Sequence, residues 1–185
     1  LDLIAQAEEE RAAVVCFPEL SVTAYTCLDL FNQQVLLEAA EQAVKDLLSY
    51  STGTDTIIIV GTPVTHACTV LDCAAVIQNG KLLGLVSKKH LASHDGFSEN
   101  RWFTSIEEVP EGHICFAGQQ TDLCASQIFR TPQFTFGVEI GHDLWSPIPP
   151  STLLCMRGAE IIFNLSADNA QSGKDAYIQH LAAQQ

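Results

Sequence analysis

A two-residue turn signal between two apolar runs is the feature of this chain that most constrains its fold. Asn79 and Gly80 separate residues 70–78 from residues 81–86, and both runs are rich in apolar residues. Asn-Gly is the strongest short-range signal for an antiparallel hairpin, because both residues tolerate the positive φ angles of a tight hairpin turn. Residues 56–61 are mostly β-branched and indicate a buried strand. The chain is therefore predicted to build a β-sheet around this hairpin.

Helical and extended patterns alternate along the rest of the chain. Four helices are predicted, at residues 1–12, 29–50, 146–157 and 174–185. Three further strands are predicted, at residues 13–17, 134–140 and 160–164. Residues 87–127 mix polar and aromatic residues and are predicted to be mostly loop. Strands that alternate with helices indicate an α/β protein in which helices pack on a sheet.

Size and charge exclude several classes of function. A chain of 185 residues suits one domain, and a hydrophobic content of 47% is enough for a buried core. No apolar run approaches the ~18 residues of a membrane helix, and we expect neither a membrane span nor a signal peptide. The net charge of −13 repels nucleic acids and anionic membranes. We expect a cytoplasmic protein, and the missing initiator Met predicts that the chain begins inside a longer gene product.

The cysteines and histidines give no sign of a disulfide or metal site. The seven Cys are odd in number and form no CxxC pair, and the six His are scattered singly. This usage indicates a reducing compartment. Cys16 and Cys73 lie in apolar runs, where we expect them to be buried as small hydrophobic residues. Neither a GxGxxG nor a GxxxxGK[ST] loop is present, so nucleotide sites of those kinds are not supported.

Three predicted strands are followed by candidate functional residues, Glu19, Lys88 and Gly141. Functional groups of open α/β sheets gather beyond the carboxyl ends of the strands. Glu19 follows an apolar strand, so a dry environment would raise the pKa of its carboxyl group and make it a proton acceptor. Alternatively, Glu19 caps a loop amide or is solvated. The Lys88 ammonium can stabilise an oxyanion; alternatively, it forms a solvated pair with Lys89.

Gly141 is interpreted from the residues alone as a turn residue. Glycine at a sharp strand-to-loop turn supplies a backbone angle that other residues resist. The neighbouring His142 and Asp143 point to opposite sides of an extended chain. We therefore do not predict that these two side chains form an acid–base pair.

Four stretches of the chain resemble, in the same order, the nitrilase (carbon–nitrogen hydrolase) superfamily. They are residues 17–25, residues 87–91 with 101–103, residues 137–140 with 143–151, and residues 158–167. Within the superfamily, residues 101–103 and 144–151 look most like the amino-terminal glutaminase domain of glutamine-dependent NAD synthetases. The resemblance implies an α/β fold, the α-β-β-α sandwich of the nitrilases, truncated at both ends over residues 1–185. It also implies that an ATP-dependent synthetase domain is absent from this chain.

The superfamily uses a Glu–Lys–Cys triad. The resemblance implies that Glu19 is the general base, that Lys88 stabilises the oxyanion, and that residue 141 holds the place of the Cys that attacks glutamine. The ammonia would pass to a separate synthetase domain, which uses ATP and Mg to amidate deamido-NAD. This domain itself would need no cofactor or metal. The substrate-binding residues that the resemblance implies are Tyr25, His94, Phe97, Trp145 and Ser166. A homo-oligomer is also implied by the resemblance alone.

The chain departs from the superfamily pattern at the nucleophile. Where the superfamily has Cys-Glu-Asp-Leu-Trp, residues 141–145 read Gly-His-Asp-Leu-Trp, so the attacking sulfur is missing. Gly96 replaces a glutamate that helps to order the site, His94 replaces a pocket tyrosine, and Ser87 replaces a proline before the lysine. We expect this copy to be inactive, without Cys16 or Cys155 as a substitute nucleophile. Two hypotheses remain, a glutaminase domain and a catalytically dead relative with a binding or scaffolding role.

Overall fold

The computed structural model describes residues 1–93 and 96–184, which form two β-sheets covered by helices. Within these residues the α-helices are α1 (Asp2–Glu9), α2 (Gln34–Tyr50), α3 (Pro150–Met156) and α4 (Lys174–Gln184). The strands are β1 (Val14–Cys16), β2 (Ile57–His66), β3 (Thr69–Gln78), β4 (Lys81–Ser87), β5 (Gly112–Phe116), β6 (Gln119–Cys124), β7 (Ile128–Arg130), β8 (Thr135–Ile140) and β9 (Ile161–Leu165). Short 3₁₀ segments lie at Tyr25–Asn32, Glu99–Arg101, Ile106–Glu108 and Gly141–Trp145.

The larger sheet has six strands in the order β1-β2-β3-β4-β6-β5, and the predicted hairpin forms its centre. Asn79 and Gly80 have φ angles of 48° and 73°, the positive values that a tight hairpin turn requires. β1 runs parallel to β2, whereas β2, β3 and β4 are antiparallel neighbours. The hairpin prediction is therefore confirmed.

Residues 57–60 of β2 are all apolar because both faces of the strand are covered there. Ile58 and Val60 point into a core that they share with helix α2, while Ile57 and Ile59 point into a second core. Successive residues of a strand point to opposite faces, so a strand between two layers loses the usual polar alternation. The second core lies between the two sheets and includes Phe136 of β8.

The smaller sheet has the order β7-β8-β9 and is covered on its outer side by α3. Leu154 of α3 lies so close to Gly137 of β8 that a Cβ at residue 137 would be 2.8 Å from the Leu154 Cδ1 atom. The layers are thus helix, sheet, sheet and helix. This confirms the predicted α/β class and the α-β-β-α sandwich.

The prediction that residues 87–127 are mostly loop is wrong for the hairpin formed by β5 and β6. On β6 only alternate residues are buried, such as Thr121 and Leu123, so the strand lacks the continuous apolar run that marked β2. Its turn uses Ala117 and Gly118, at φ angles of 51° and 78°, rather than Asn-Gly. The hairpin therefore had only a weak local signal.

Smaller corrections concern element boundaries and one cysteine. α2 begins at Gln34, since the residues before it form a 3₁₀ segment, and β2 continues to His66 beyond the predicted end. Cys73 is buried as expected, but Cys16 is exposed, because it lies on β1 at the edge of the larger sheet. None of the helices in the described part of the chain is long and apolar enough to cross a membrane.

Candidate active site

Glu19 lies in the turn after β1 and is almost completely buried. The turn reaches its place because Gly61 of β2 has no side chain. A Cβ at residue 61 would lie 2.2 Å from the Leu20 backbone nitrogen, so only glycine allows this close approach of the two backbones. The Glu19 carboxylate accepts a hydrogen bond from the Lys88 ammonium, and its Oε2 atom accepts one from the Ala167 amide at 3.2 Å. Both glutamate oxygens are therefore held in place.

Lys88 follows β4 and has a fully buried ammonium group. Its backbone N–H donates to the Asp72 carbonyl oxygen at 2.8 Å, which continues the pairing of β4 with β3. Its Nζ atom donates to Glu19 and, at 2.8 Å, to Oε1 of Glu99. Burial lowers the pKa of Lys88, but the charges of Glu19, Asp72 and Glu99 raise it further than burial lowers it, so the net shift is upward. The ammonium therefore stays charged.

Glu99 is the second carboxylate against Lys88, and sequence reasoning missed it. The buried side chain accepts hydrogen bonds from the Tyr25 hydroxyl and the Ala92 amide, both at 2.7 Å. The sequence feature that could have indicated Glu99 is its position two residues before residues 101–103, which carry part of the resemblance. Gly96, three residues earlier, has a φ angle of +90° and open space around it. Position 96 thus contributes no side chain to the cluster.

Gly141 lies at the end of β8, buried and in the left-handed region at a φ angle of +48°. Its carbonyl oxygen accepts a hydrogen bond from the Asn164 side chain at 3.2 Å. A Cβ at residue 141 would lie 2.6 Å from Oε2 of Glu19, so the Glu19 carboxylate occupies the place that a side chain would need. The structure brings Glu19, Lys88 and Gly141 together, and the carboxylate fills the space that the missing side chain would take.

Asp143 ties the lysine segment to the Gly141 turn. Its carboxylate accepts hydrogen bonds from the backbone amides of His90 at 2.7 Å, Lys89 at 3.2 Å and Ile140 at 3.4 Å. Burial raises the pKa of Asp143 to about 7, although these hydrogen bonds and the charge of Lys88 act in the opposite direction. Asp143 thus fixes backbone amides of the lysine segment and of the Gly141 turn. The side chain of its neighbour His142 instead contacts aromatic rings.

An aromatic cavity of about 260 Å³ lies beside this turn. Phe97 and Trp145 line it, with ring centroids 4.7 Å and 5.7 Å from the ring of His142. The Lys174 ammonium lies over both the Phe97 and the Trp145 rings, at 5.6 Å and 5.3 Å from their centroids. Tyr177 completes the wall. The cavity can therefore take a small ligand between aromatic faces and a cation.

The other substrate-binding residues predicted from the sequence lie at different places. Tyr25 contacts Phe97 edge-on at 6.1 Å and hydrogen-bonds Glu99. Ser166 is exposed on the loop after β9 and does not line the aromatic cavity. His94 lies outside the described residues. A larger cavity, about 880 Å³, opens at the opposite ends of the strands and holds none of the predicted site residues.

The cluster holds a carboxylate and an ammonium of the kinds that amide hydrolysis uses, and position 141 carries no side chain. A carboxylate can take a proton from a thiol, and a buried ammonium can stabilise the oxyanion that forms. Among the described residues, no cysteine sulfur forms a hydrogen bond with Glu19 or Lys88; those of Cys16, Cys27 and Cys124 contact other groups. No group of three or more His, Cys, Asp or Glu in the described part of the chain is arranged to hold a metal ion.

The layered fold, with a carboxylate and a lysine at the ends of strands from its larger sheet, defines the class. The chain belongs to the carbon-nitrogen hydrolase family, whose sequence profile matches residues 1–185. It is 31% identical over 177 residues to a glutamine-dependent NAD(+) synthetase of Mycobacterium bovis, an alignment that covers 94% of this chain and 26% of that protein. The predicted resemblance is therefore confirmed.

Solved structures give the same relationship. A glutamine-dependent NAD(+) synthetase from Cytophaga hutchinsonii matches 97% of this chain with a TM-score of 0.83 and 25% identity, over 29% of its own length. A carbon-nitrogen hydrolase from Helicobacter pylori matches 98% of this chain with a TM-score of 0.68, over 59% of its own length; at 20% identity it shows the fold alone. The chain thus spans about a quarter of the length of the NAD(+) synthetases that it matches.

Proposed function

We propose that this chain is a glutaminase-type domain that binds glutamine but does not hydrolyse it. Its relatives are glutamine-dependent NAD(+) synthetases, and their names specify glutamine as the substrate. The observation that carries the proposal is Gly141, which places no side chain beside Glu19 and Lys88. Loss of a covalent nucleophile removes on the order of 10⁶-fold of the rate in a well-studied protease.

The proposed glutamine position combines the charged cluster around Lys88 with the aromatic cavity. The Glu19 carboxylate would have to move aside for the amide end of glutamine to reach Gly141 and the Lys88 ammonium. The amino-acid end would enter the aromatic cavity beside Trp145 and Lys174. In an active relative, a thiolate at position 141 would attack the amide, and ammonia would leave for a synthetase domain that uses ATP and Mg. The proposed domain itself needs no cofactor and acts in the cytoplasm as a homo-oligomer.

The direct test measures ammonia release from glutamine by the unmodified chain and by Gly141→Cys and Gly141→Ala. We expect no ammonia from the unmodified chain or from Gly141→Ala, which adds the crowding of a Cβ without a thiol. A glutamine-like electrophile should label Gly141→Cys at residue 141, as seen by mass spectrometry, and label neither of the other two there. Turnover by the unmodified chain would contradict the proposal.

The alternative is a scaffolding role without a small ligand. Its support is that the Glu19 carboxylate fills the place of a side chain at position 141, while Lys88 is fully engaged by Glu19 and Glu99. Calorimetric titration with glutamine separates the two functions. Saturable binding that Trp145→Ala weakens at least tenfold supports the glutamine-binding domain, and no binding supports the scaffold.

A further inference from the structure

Asp72 of β3 is a buried carboxyl group that the catalytic set does not use. Its side chain is completely buried, and its Oδ2 atom lies 4.0 Å from the Lys88 Nζ atom. That distance is too long for a hydrogen bond. No donor among the described residues reaches either carboxylate oxygen of Asp72. A buried polar group without a partner is costly, so its protonation state needs an explanation.

Charge balance around Lys88 gives that explanation. The single ammonium already donates to the carboxylates of Glu19 and Glu99, and each glutamate also accepts a backbone amide. One cation against two anions leaves a net charge of −1, and an ionised Asp72 would make it −2 in a site without solvent access. Burial raises the pKa of Asp72 well above its ordinary value, as does the Glu19 carboxylate, while Lys88 acts in the opposite direction.

The O–H of a neutral Asp72 needs an acceptor, and the Glu19 carboxylate lies with Asp72 against the same Lys88 ammonium. The other titratable groups near Asp72 are engaged elsewhere: Lys88 and Tyr25 donate to glutamates, Glu99 accepts three hydrogen bonds, and Cys73 points into the core. We propose that Asp72 is a positioning residue that keeps its proton in the folded protein and donates it to the carboxylate of Glu19.

This hydrogen bond would give Glu19 three donors, from Asp72, Lys88 and the Ala167 amide. Three donors fix the orientation of the carboxylate against Gly141. The inference concerns the same site as the proposed function, but its test requires neither glutamine nor turnover, so the two can fail separately.

Infrared spectroscopy on protein labelled with ¹³C-aspartate tests the proposal, because a protonated carboxyl group absorbs apart from carboxylates. The measurement is made at pH 8.5, where Asp143 is ionised. We expect one aspartic acid band in the unmodified chain, its loss in Asp72→Asn, and its retention in the control Asp55→Asn, which changes an exposed residue. Absence of the band from the unmodified chain, or its persistence in Asp72→Asn, would overturn the proposal.

A second measurement uses the pH dependence of folding. Asp72→Asn keeps a neutral donor toward Glu19, whereas Asp72→Ala removes it. We expect Asp72→Asn to lose less stability as pH rises from 5 to 9 than the unmodified chain, and Asp72→Ala to be the less stable variant at every pH. If Asp72→Asn loses stability with pH as steeply as the unmodified chain, Asp72 does not hold a proton. The infrared band of the unmodified chain decides the question even if both variants fold poorly.

Discussion

At the scale of single residues, Gly141 combines two constraints on any side chain placed there. Its φ angle of +48° is in the left-handed region, which costs L-residues about 1–2 kcal/mol. Its Cβ position is also 2.6 Å from the Glu19 Oε2 atom, which the Ala167 amide holds in place. Strained residues of this kind cluster at active sites, where they set the direction of a catalytic group. Here glycine adopts the same backbone angle without that strain, and the side chain is missing.

The raised pKa of Asp143 predicts how the free energy of unfolding depends on pH. Its pKa of about 7 in the folded protein is above the ordinary value near 4 that we assign to the unfolded chain. Between these values the folded state binds more protons than the unfolded state, so its stability falls as pH rises. One such group contributes up to about 1.4 kcal/mol of loss per pH unit.

Urea unfolding from pH 4 to pH 8 checks this prediction. We expect Asp143→Asn to flatten the decline between pH 4 and pH 7, because an amide does not titrate. Asp55→Asn, at an exposed position, should keep the full decline. An Asp143→Asn curve parallel to that of the unmodified chain would show that Asp143 ionises normally.

At the scale of elements, the position of Glu19 depends on β2. Gly61→Ala would place a Cβ against the Leu20 backbone nitrogen, and backbone cannot rotate away as a side chain can. Overpacking of this kind costs about 1–3 kcal/mol. We therefore expect Gly61→Ala to lower the free energy of unfolding by that amount, measured in urea.

Gly84 of β4 supplies a matched control for this substitution. The Cβ of Gly84→Ala would meet the end of the Gln127 side chain, 2.3 Å away, and that flexible end can move. We expect a change within about 1 kcal/mol, since alanine is favoured over glycine in a strand. Equal losses from both substitutions would mean that the turn after β1 does not depend on close contact with β2.

At the scale of the whole molecule, the core between the two sheets fixes how the strand ends meet. Phe136 is fully buried there, with ring centroids 5.0 Å from Phe129 and 5.5 Å from Phe163. Gly141 directly follows the strand that contains Phe136, whereas Glu19 and Lys88 follow strands of the other sheet. Packing between the sheets therefore sets the distance between the glycine and the charged pair.

Phe136→Ala tests the contribution of this core to stability. Removal of a buried phenylalanine ring costs about 3–5 kcal/mol, and we expect a loss of that size in urea unfolding. Ile148→Ala is the control, because Ile148 is 64% exposed and its loss should change stability by less than about 0.5 kcal/mol. A small effect of Phe136→Ala would indicate that the two sheets are held together elsewhere.

The sequence by itself determined the features that have local signals. Local patterns predicted the Asn79-Gly80 turn and the buried apolar run of β2. They also predicted that strands end just before Glu19, Lys88 and Gly141. All of these features depend on residues that are neighbours along the chain. The hairpin of β5 and β6 could not be predicted from the sequence, since one of its faces is exposed and its turn lacks Asn.

Only the tertiary structure decided how the buried charges are paired. Glu99 is 11 residues from Lys88 along the chain, and the Lys88–Glu19 pair spans 69 residues. No local pattern marks Asp72 as a third carboxyl group near one ammonium, or shows that the Glu19 carboxylate fills the space beside Gly141. The physical reason is that burial and Coulomb interactions depend on distances in space, which exist only once both sheets have packed.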